Sequence, residues 1–505
     1  MEFFSVALFL FLSLLCFYIY LHFHTRKHNK GFKNFPIVGN LIEFLSNRHR
    51  FFDWTTQILR KCPTNTVVFF IPGKTHGIIT ANPDNVEHML KTKFENYPKG
   101  EKFIYLLEDF LGKGIFNTDG ELWKVQRKIA SYEFNTKSLR NFVIENVMVE
   151  LQTRLLPIFS RASESERILD LQDILERFTF DNICKLAFNV DPSCLGGDGT
   201  TGTEFMSAFE DAAVLSSGRF MSALPILWKM KRLFNVGKER RLRESIAIVH
   251  EFADKIIQSR IKAKDQNNNT DLLSRFIKAD KNSPEFLRDV IISFILAGRD
   301  TTSSALSWFF WILSSRPDVK KNIIKEIEII RSRNGGRAMF KFEELNEMHY
   351  LHAAISETMR LYPPVPVEIK LCLNDDVLPD GTVTKKNWLI MVQTYAMGRM
   401  ESVWGKDCTE FKPKRWLENG EYRTESSFKF PVFHAGPRMC LGRDMAYIQM
   451  KSIVASIMER FEIDVVDKDK CPENLLSLTL KMKGGLPVKV RARVRDPTCA
   501  ATSGG

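Results

Sequence analysis

The chain has 505 residues, 44% of them apolar, with 72 Lys and Arg against 60 Asp and Glu and a formal net charge of +12. That apolar share excludes a disordered chain and permits one large domain or up to about three. The basic balance suits an anionic membrane face or an acidic protein partner. Nucleic acid fits poorly, because the aromatic residues lie in apolar runs rather than among basic clusters.

In chain order, residues 3–23 read FFSVALFLFLSLLCFYIYLHF with no Lys, Arg, Asp or Glu. At ~1.5 Å per residue this run can cross a ~30 Å hydrocarbon layer. Glu2 precedes it, and Arg26, Lys27, Lys30 and Lys33 follow it. That polarity opposes a cleaved secretory signal and predicts an uncleaved anchor in the endoplasmic reticulum membrane, single-pass, with the body in the cytosol. Residues 24–40, basic and carrying Pro36 and Gly39, read as a hinge to a body over 41–495.

Amphipathic periodicity then predicts helices over 51–60, 82–92, 121–158, 168–188, 204–216, 238–264, 284–315, 317–333 and 350–361. Alternating runs at 66–71, 388–393 and 487–493 predict strands. The fold class is mainly α with a minor β-sheet. SCLGGDGTTGT, 193–203, reads as a surface loop, and FMSALPILWKMKRLF, 220–234, as either a core-packed helix or a segment that dips into the membrane.

Four constellations carry chemistry. Trp123 and Arg127 in WKVQR lie four apart on one helix face. AGRDTT, 297–302, sets Asp300 and Thr301 inside an apolar helix, where polar groups are costly without a task. The alternative is that Thr301 bonds back to a carbonyl four residues earlier while Asp300 pairs with a surface cation. Glu357 and Arg360 in ETMR stand three apart and can pair.

Cys440 in FHAGPRMCLG, 433–442, is the fourth: the nine cysteines are scattered, with neither a disulfide framework nor a CxxC zinc pattern. A single thiolate cannot hold zinc or an iron–sulfur cluster, each of which takes several ligands, but it can hold haem iron.

The spacing F-x-x-G-x-R-x-C-x-G over Phe433, Gly436, Arg438, Cys440 and Gly442 resembles the haem-binding loop of the cytochrome P-450 superfamily, the haem-thiolate monooxygenases. The resemblance extends from about Pro36 to Val494 and implies one catalytic domain holding haem b, iron protoporphyrin IX, with Cys440 as the iron ligand. It implies further that Ala297 and Gly298 leave room for dioxygen, that Thr301 hydrogen-bonds the oxygen species and that Asp300 relays protons. Trp123, Arg127 and Arg438 would face the haem propionates. Glu357 and Arg360 would form a structural group with Arg415, beside which Lys414 departs from the usual acid.

Electrons would come from NADPH through a flavoprotein, NADPH–cytochrome P-450 reductase, since no G-x-G-x-x-G fingerprint follows a strand and the chain itself is expected not to bind NADPH.

FHAGPRMCLGRDMAYIQMKS, YAMGRMESVWGKD and NDDVLPDG resemble the plant branch typified by fatty-acid omega-hydroxylases. That resemblance implies hydroxylation at or near the end of an aliphatic chain, with fatty acid first, and a sterol side chain or a jasmonoyl amino acid as alternatives. The expected pocket for this apolar guest draws on Phe103, Leu106, Leu107, Phe294, Ala297, Val365, Val367 and Leu478. Glu368 and Ile369 depart from the branch's usual pair, and a bulkier lining there would favour a ring-bearing substrate. An isomerase or dehydratase of the same superfamily, rearranging peroxides without external electrons, would tend to lack the Asp-Thr pair.

Overall fold

The structure is a computed structural model that describes residues 31–493 except 36–37, 72–74, 135–145, 197–201, 223, 263–270, 280–282 and 334–339, and before them residues 9, 11–17 and 20. Helices dominate. The longest stretch near the centre runs from Pro284 to Ser314, and its apolar face on every side explains its depth: Ile291, Ile295, Leu306 and Trp308 have no exposed surface. Ser283 starts it, its hydroxyl accepting the Phe286 N–H at 3.2 Å with Pro284 in the first turn. Asp170 does the same for the Leu171–Phe188 helix that crosses it, accepting from Gln172 and Asp173, and Asn189 closes that helix in the left-handed region at φ 52°.

The main sheet has four strands in the order Thr66–Ile71, Thr75–Thr80, Leu389–Val392, Glu368–Leu371, antiparallel at both ends and parallel in the middle. In TVVFFI, Val67, Phe69 and Ile71 alternate inward onto the core, the period of two that marks a half-buried strand. A second sheet joins Phe461–Val465, Pro487–Ala492 and Leu169–Asp170, and a short hairpin pairs Asn474–Leu476 with Leu480–Met482.

Most of the expected elements recur, and four of the differences bear on the site. The helix expected over 121–158 is described as Gly120–Phe134 and then helical turns that end in Leu156–Ser165, with 135–145 outside the described residues. The one expected over 168–188 begins instead with the edge strand Leu169–Asp170. A helix over Glu101–Leu111, not expected from the sequence, is held at its start by Asp119, whose carboxylate accepts the Lys99 and Gly100 N–H groups at 3.0 and 2.8 Å. Within 284–315 the turn Leu296–Asp300 is π-helical, the local widening that recurs at functional sites.

Of the expected anchor, residues 9, 11–17 and 20 are described and helical, and the rest lies outside the described residues, as do 24–30 and 36–37 of the hinge and 197–201 of the loop. Among the described residues no helix is long and apolar enough to cross a membrane. The body begins earlier than residue 41, because Phe32 is buried with its ring 5.3 Å from Phe44 and 5.2 Å from Trp54.

Candidate active site

The Cys440 loop is built by close backbone approaches. The Cys440 N–H donates to the Phe433 carbonyl at 2.7 Å, and the Phe433 ring lies 5.2 Å from Tyr447. Gly436 sits at φ +65°, and a Cβ there would fall 1.9 Å from the Leu90 carbonyl oxygen, so only glycine lets this loop close. Gly442 is different: a Cβ would meet nothing nearer than 3.6 Å. It precedes the Arg443–Arg460 helix.

The Cys440 side chain keeps accessible surface, yet protein crowds it closely enough that burial raises its thiol pKa, and the Gly442 N–H with the Arg127 and Arg443 charges offsets only part of that. A metal bond is what would fix the thiolate here.

Around the loop lies an excess of buried or half-buried positive charge. Arg438 stacks over the Trp123 ring at 4.3 Å and donates to Asp119 at 2.6 Å, and Arg127 donates to the Met439 carbonyl. Glu368 Oε1 lies 2.9 Å from Lys99 Nζ, 3.1 Å from Lys370 Nζ and 3.5 Å from His434 Nε2. Burial would raise Glu368, but Lys99, Lys370 and His434 together hold it well below the usual carboxylate range. Burial likewise pulls fully buried Lys370 down to about 8 against the upward pull of Glu368.

Four cations, Arg127, Arg438, Lys99 and Lys370, thus outnumber the carboxylates near them, Asp119, Glu368 and Glu95. Arg438 Nε has no hydrogen-bond partner among the described residues, and Lys370 Nζ and His434 Nε2 share the one Glu368 oxygen, Oε1, with Lys99. A surplus of positive charge with an unpartnered guanidinium nitrogen beside a thiol fits iron protoporphyrin IX, which brings one iron and two carboxylates. Lys99, Lys370 and Asp119 escaped the sequence reading. Each looks like an ordinary surface charge until the chain is folded.

In the central Pro284–Ser314 stretch, Ala297, Gly298 and Thr301 are half-buried while Arg299 and Asp300 are buried. The Thr301 hydroxyl donates to the Ala297 carbonyl at 2.6 Å. That is half of the structural alternative posed from sequence. The other half fails, because Asp300 pairs at 2.6 Å with Arg299, a fully buried guanidinium and not a surface cation. Gly298 has a packing role: a Cβ there would lie 2.6 Å from the Ile183 side chain, so the glycine admits the neighbouring helix and the room it was expected to leave for dioxygen faces Ile183 instead.

Glu357 and Arg360 are both fully buried and joined by two hydrogen bonds at 2.7 and 2.8 Å. Arg415 approaches Glu357 at only 3.5 Å and bonds Asp407 at 2.9 Å, so the third member is looser than the pair. Lys414 is exposed, and its charge falls on the surface.

Of the expected pocket residues, Phe103, Leu107, Phe294 and Leu478 belong to one apolar cluster. Leu107 and Phe294 are buried, while Phe103, Leu106, Ala297, Val365, Val367 and Leu478 keep accessible surface. Val367 packs on the other, larger cluster. Glu368 is bound by lysines and Ile369 is buried opposite Met391, so neither lines a pocket and the argument from them for a ring-bearing substrate loses its support.

Comparison with known proteins agrees with this geometry. The family model Cytochrome P450 matches residues 30–488. The protein named Cytochrome P450 CYP94D108 of Paris polyphylla is 54% identical over 459 residues, 90% of this chain and 91% of the relative. Cytochrome P450 94A1 of Vicia sativa is 46% identical over 473 residues, covering 91% of this chain and 90% of its own. Cytochrome P450 94B1 of Arabidopsis thaliana is 47% identical over 472 residues, 91% of each. The chain therefore belongs to the cytochrome P450 family and is a monooxygenase whose cofactor is haem b, supplied with electrons by a reductase.

Proposed function

We propose that this chain hydroxylates a terminal or near-terminal carbon of an aliphatic chain, with a fatty acid first among its substrates, and that it works at the endoplasmic reticulum membrane with NADPH–cytochrome P450 reductase as electron donor. When bound, haem supplies the activation of dioxygen. Cys440 would hold its iron, and Lys99, Lys370, Arg127 and Arg438 would neutralise its carboxylates. Thr301 would present its hydroxyl to the oxygen species, and Asp300 would deliver protons behind it.

The observation that carries the substrate class is the single apolar cluster that holds Phe103, Leu107, Phe294 and Leu478 together with Leu441, the residue after Cys440. An unfunctionalised chain end suits such a wall, since every polar atom brought there would be left without a partner.

Membrane association is supported twice. Residues 3–23 have the length and flanking charge of an anchor. The Pro225–Leu233 helix and its flanks expose Leu224, Ile226, Leu227, Met230, Leu233 and Phe234, the last two at 78% and 66%, and bury only Trp228 of its apolar side chains, which favours the membrane-dipping reading over core packing. Exposed Lys128 and Arg443 near the Cys440 loop would suit an acidic reductase surface.

The test is reconstitution of the full chain with reductase and phospholipid, followed by mass spectrometry of products from a chain-length series of fatty acids, jasmonoyl-isoleucine and hydroxylated sterols. Terminal or near-terminal hydroxy acids are expected. Turnover of the sterols or the conjugate with no fatty-acid product would overturn the substrate reading.

A further inference from the structure

Asp300 belongs to a larger buried group. Arg299 donates through Nη2 to Glu176 Oε2 at 2.7 Å, from the Leu171–Phe188 helix, while its Nη1 holds Asp300. Lys481 Nζ, from the Leu480–Met482 strand of the C-terminal hairpin, lies 2.7 Å from the other Glu176 oxygen. All four side chains are buried, and two of each sign leave the group neutral. Glu210 on the Thr203–Gly218 helix reaches Lys481 at 3.5 Å and is its link to solvent. The Phe209 ring lies 5.3 Å from the Arg299 guanidinium, and Cys194, with Arg177 and Asp181 around it, faces from the adjoining loop with a thiol that burial pushes up to about 12.

The hairpin that brings Lys481 is fixed to the same helix as Asp300. The Leu480 carbonyl accepts Ser304 Oγ at 2.7 Å and Trp308 Nε1 at 2.9 Å. Leu478, of the expected substrate wall, lies in the same hairpin.

This line cannot be a proton wire, because a guanidinium keeps its proton at any physiological pH and Arg299 interrupts it. What it can do is set charge. Burial pushes the Glu176 carboxyl up against the pull of Arg299 and Lys481. Burial pulls Lys481 down, but Glu176 with Asp300 and Glu210 carries it above its ordinary value. Without Lys481, one cation would serve two buried carboxylates, and one of them would have to take up a proton.

We propose that Glu176 and Lys481 are positioning residues for oxygen activation, neutralising the far side of Arg299 so that its other arm holds Asp300 in place; this rests on the reading of Asp300 as the proton relay. The test measures product formed per NADPH consumed across pH in the reconstituted full chain, with dodecanoic acid, or the compound of the series turned over fastest if that is another.

Lys481→Met should move the acid limb of this profile up by about one pH unit, a roughly tenfold loss at the affected pH, with substrate affinity unchanged. Lys481→Arg should restore it, and so should Glu176→Gln added to Lys481→Met, which again balances one cation with one carboxylate. If Asp300→Asn loses coupling while Lys481→Met keeps the native profile, this inference falls and the relay stands. If Asp300→Asn is native at every pH, both fall. Should Lys481→Met not retain porphyrin, the double variant decides: native coupling upholds the proposal, and coupling as low as Asp300→Asn overturns it.

Discussion

Replacing Glu357 by alanine should be among the most destructive single changes in the body. Its two oxygens accept from Arg360 Nε and Nη2, from Trp416 Nε1 at 2.8 Å and from the Lys412 N–H at 2.8 Å, at a position with no solvent exposure. Removing one partner of a buried ion pair costs about 3–5 kcal/mol. One further buried donor left unpaired, Trp416 Nε1, costs about 1–3 kcal/mol, while the N–H of exposed Lys412 can turn to water. The sum, roughly 4–8 kcal/mol, rivals the whole stability of a typical fold, about 5–15 kcal/mol.

Arg415→Gln is the control. At 3.5 Å from Glu357 and partly exposed, Arg415 should cost only about 1–2 kcal/mol. The assay is thermal unfolding of the porphyrin-loaded chain, with absorption of the thiolate-ligated haem as the second readout. Glu357→Ala should yield no loaded protein, or an unfolding midpoint at least about 5 °C below that of Arg415→Gln. Equal midpoints for the two variants would refute the reasoning that the pair, and not the third arginine, holds this region.

Gly436→Ala should abolish thiolate-ligated haem absorption, because its Cβ would sit 1.9 Å from a backbone carbonyl at φ +65°, whereas Gly442→Ala, with no neighbour nearer than 3.6 Å, should load normally; absorption per mole of protein compares them. His352 stacks on Tyr422 at 3.7 Å and near Tyr447 at 4.0 Å, and burial with the Lys451 charge lowers its pKa to about 2. The depressed folded value means that its contribution is full above pH 6.5, the unfolded value, and is lost as pH falls towards 2, at about 1.4 kcal/mol per unit. His352→Phe should flatten the decline in unfolding midpoint below pH 6.5, and an unchanged slope would refute the assignment. A fluorophore on Leu233→Cys in the bilayer-reconstituted full chain should be quenched by lipid-borne quenchers, and quenching only by water-soluble ones would place the Pro225–Leu233 helix off the membrane.

Helix content, the strand at 66–71 and the Cys440 loop were legible in the sequence, because periodicity and a fixed spacing of special residues are local properties. Glu357 and Arg360, three apart on one helix, were legible for the same reason. The Glu101–Leu111 helix was not, since its start depends on Asp119 and its packed face on distant helices. Gly298 was misread: the space beside a glycine belongs to whatever packs there, and that is Ile183.

Local pattern by itself determined the family's cysteine loop, the apolar central helix and the run fit for an anchor. Only the tertiary structure decided which charges are buried and with whom: Lys99 and Lys370 about Glu368, and Lys481 and Arg299 about Glu176. In a sequence a buried ion reads like a solvated one, and the difference is made by partners that arrive from remote segments, whose packing must cancel the cost of taking charge out of water.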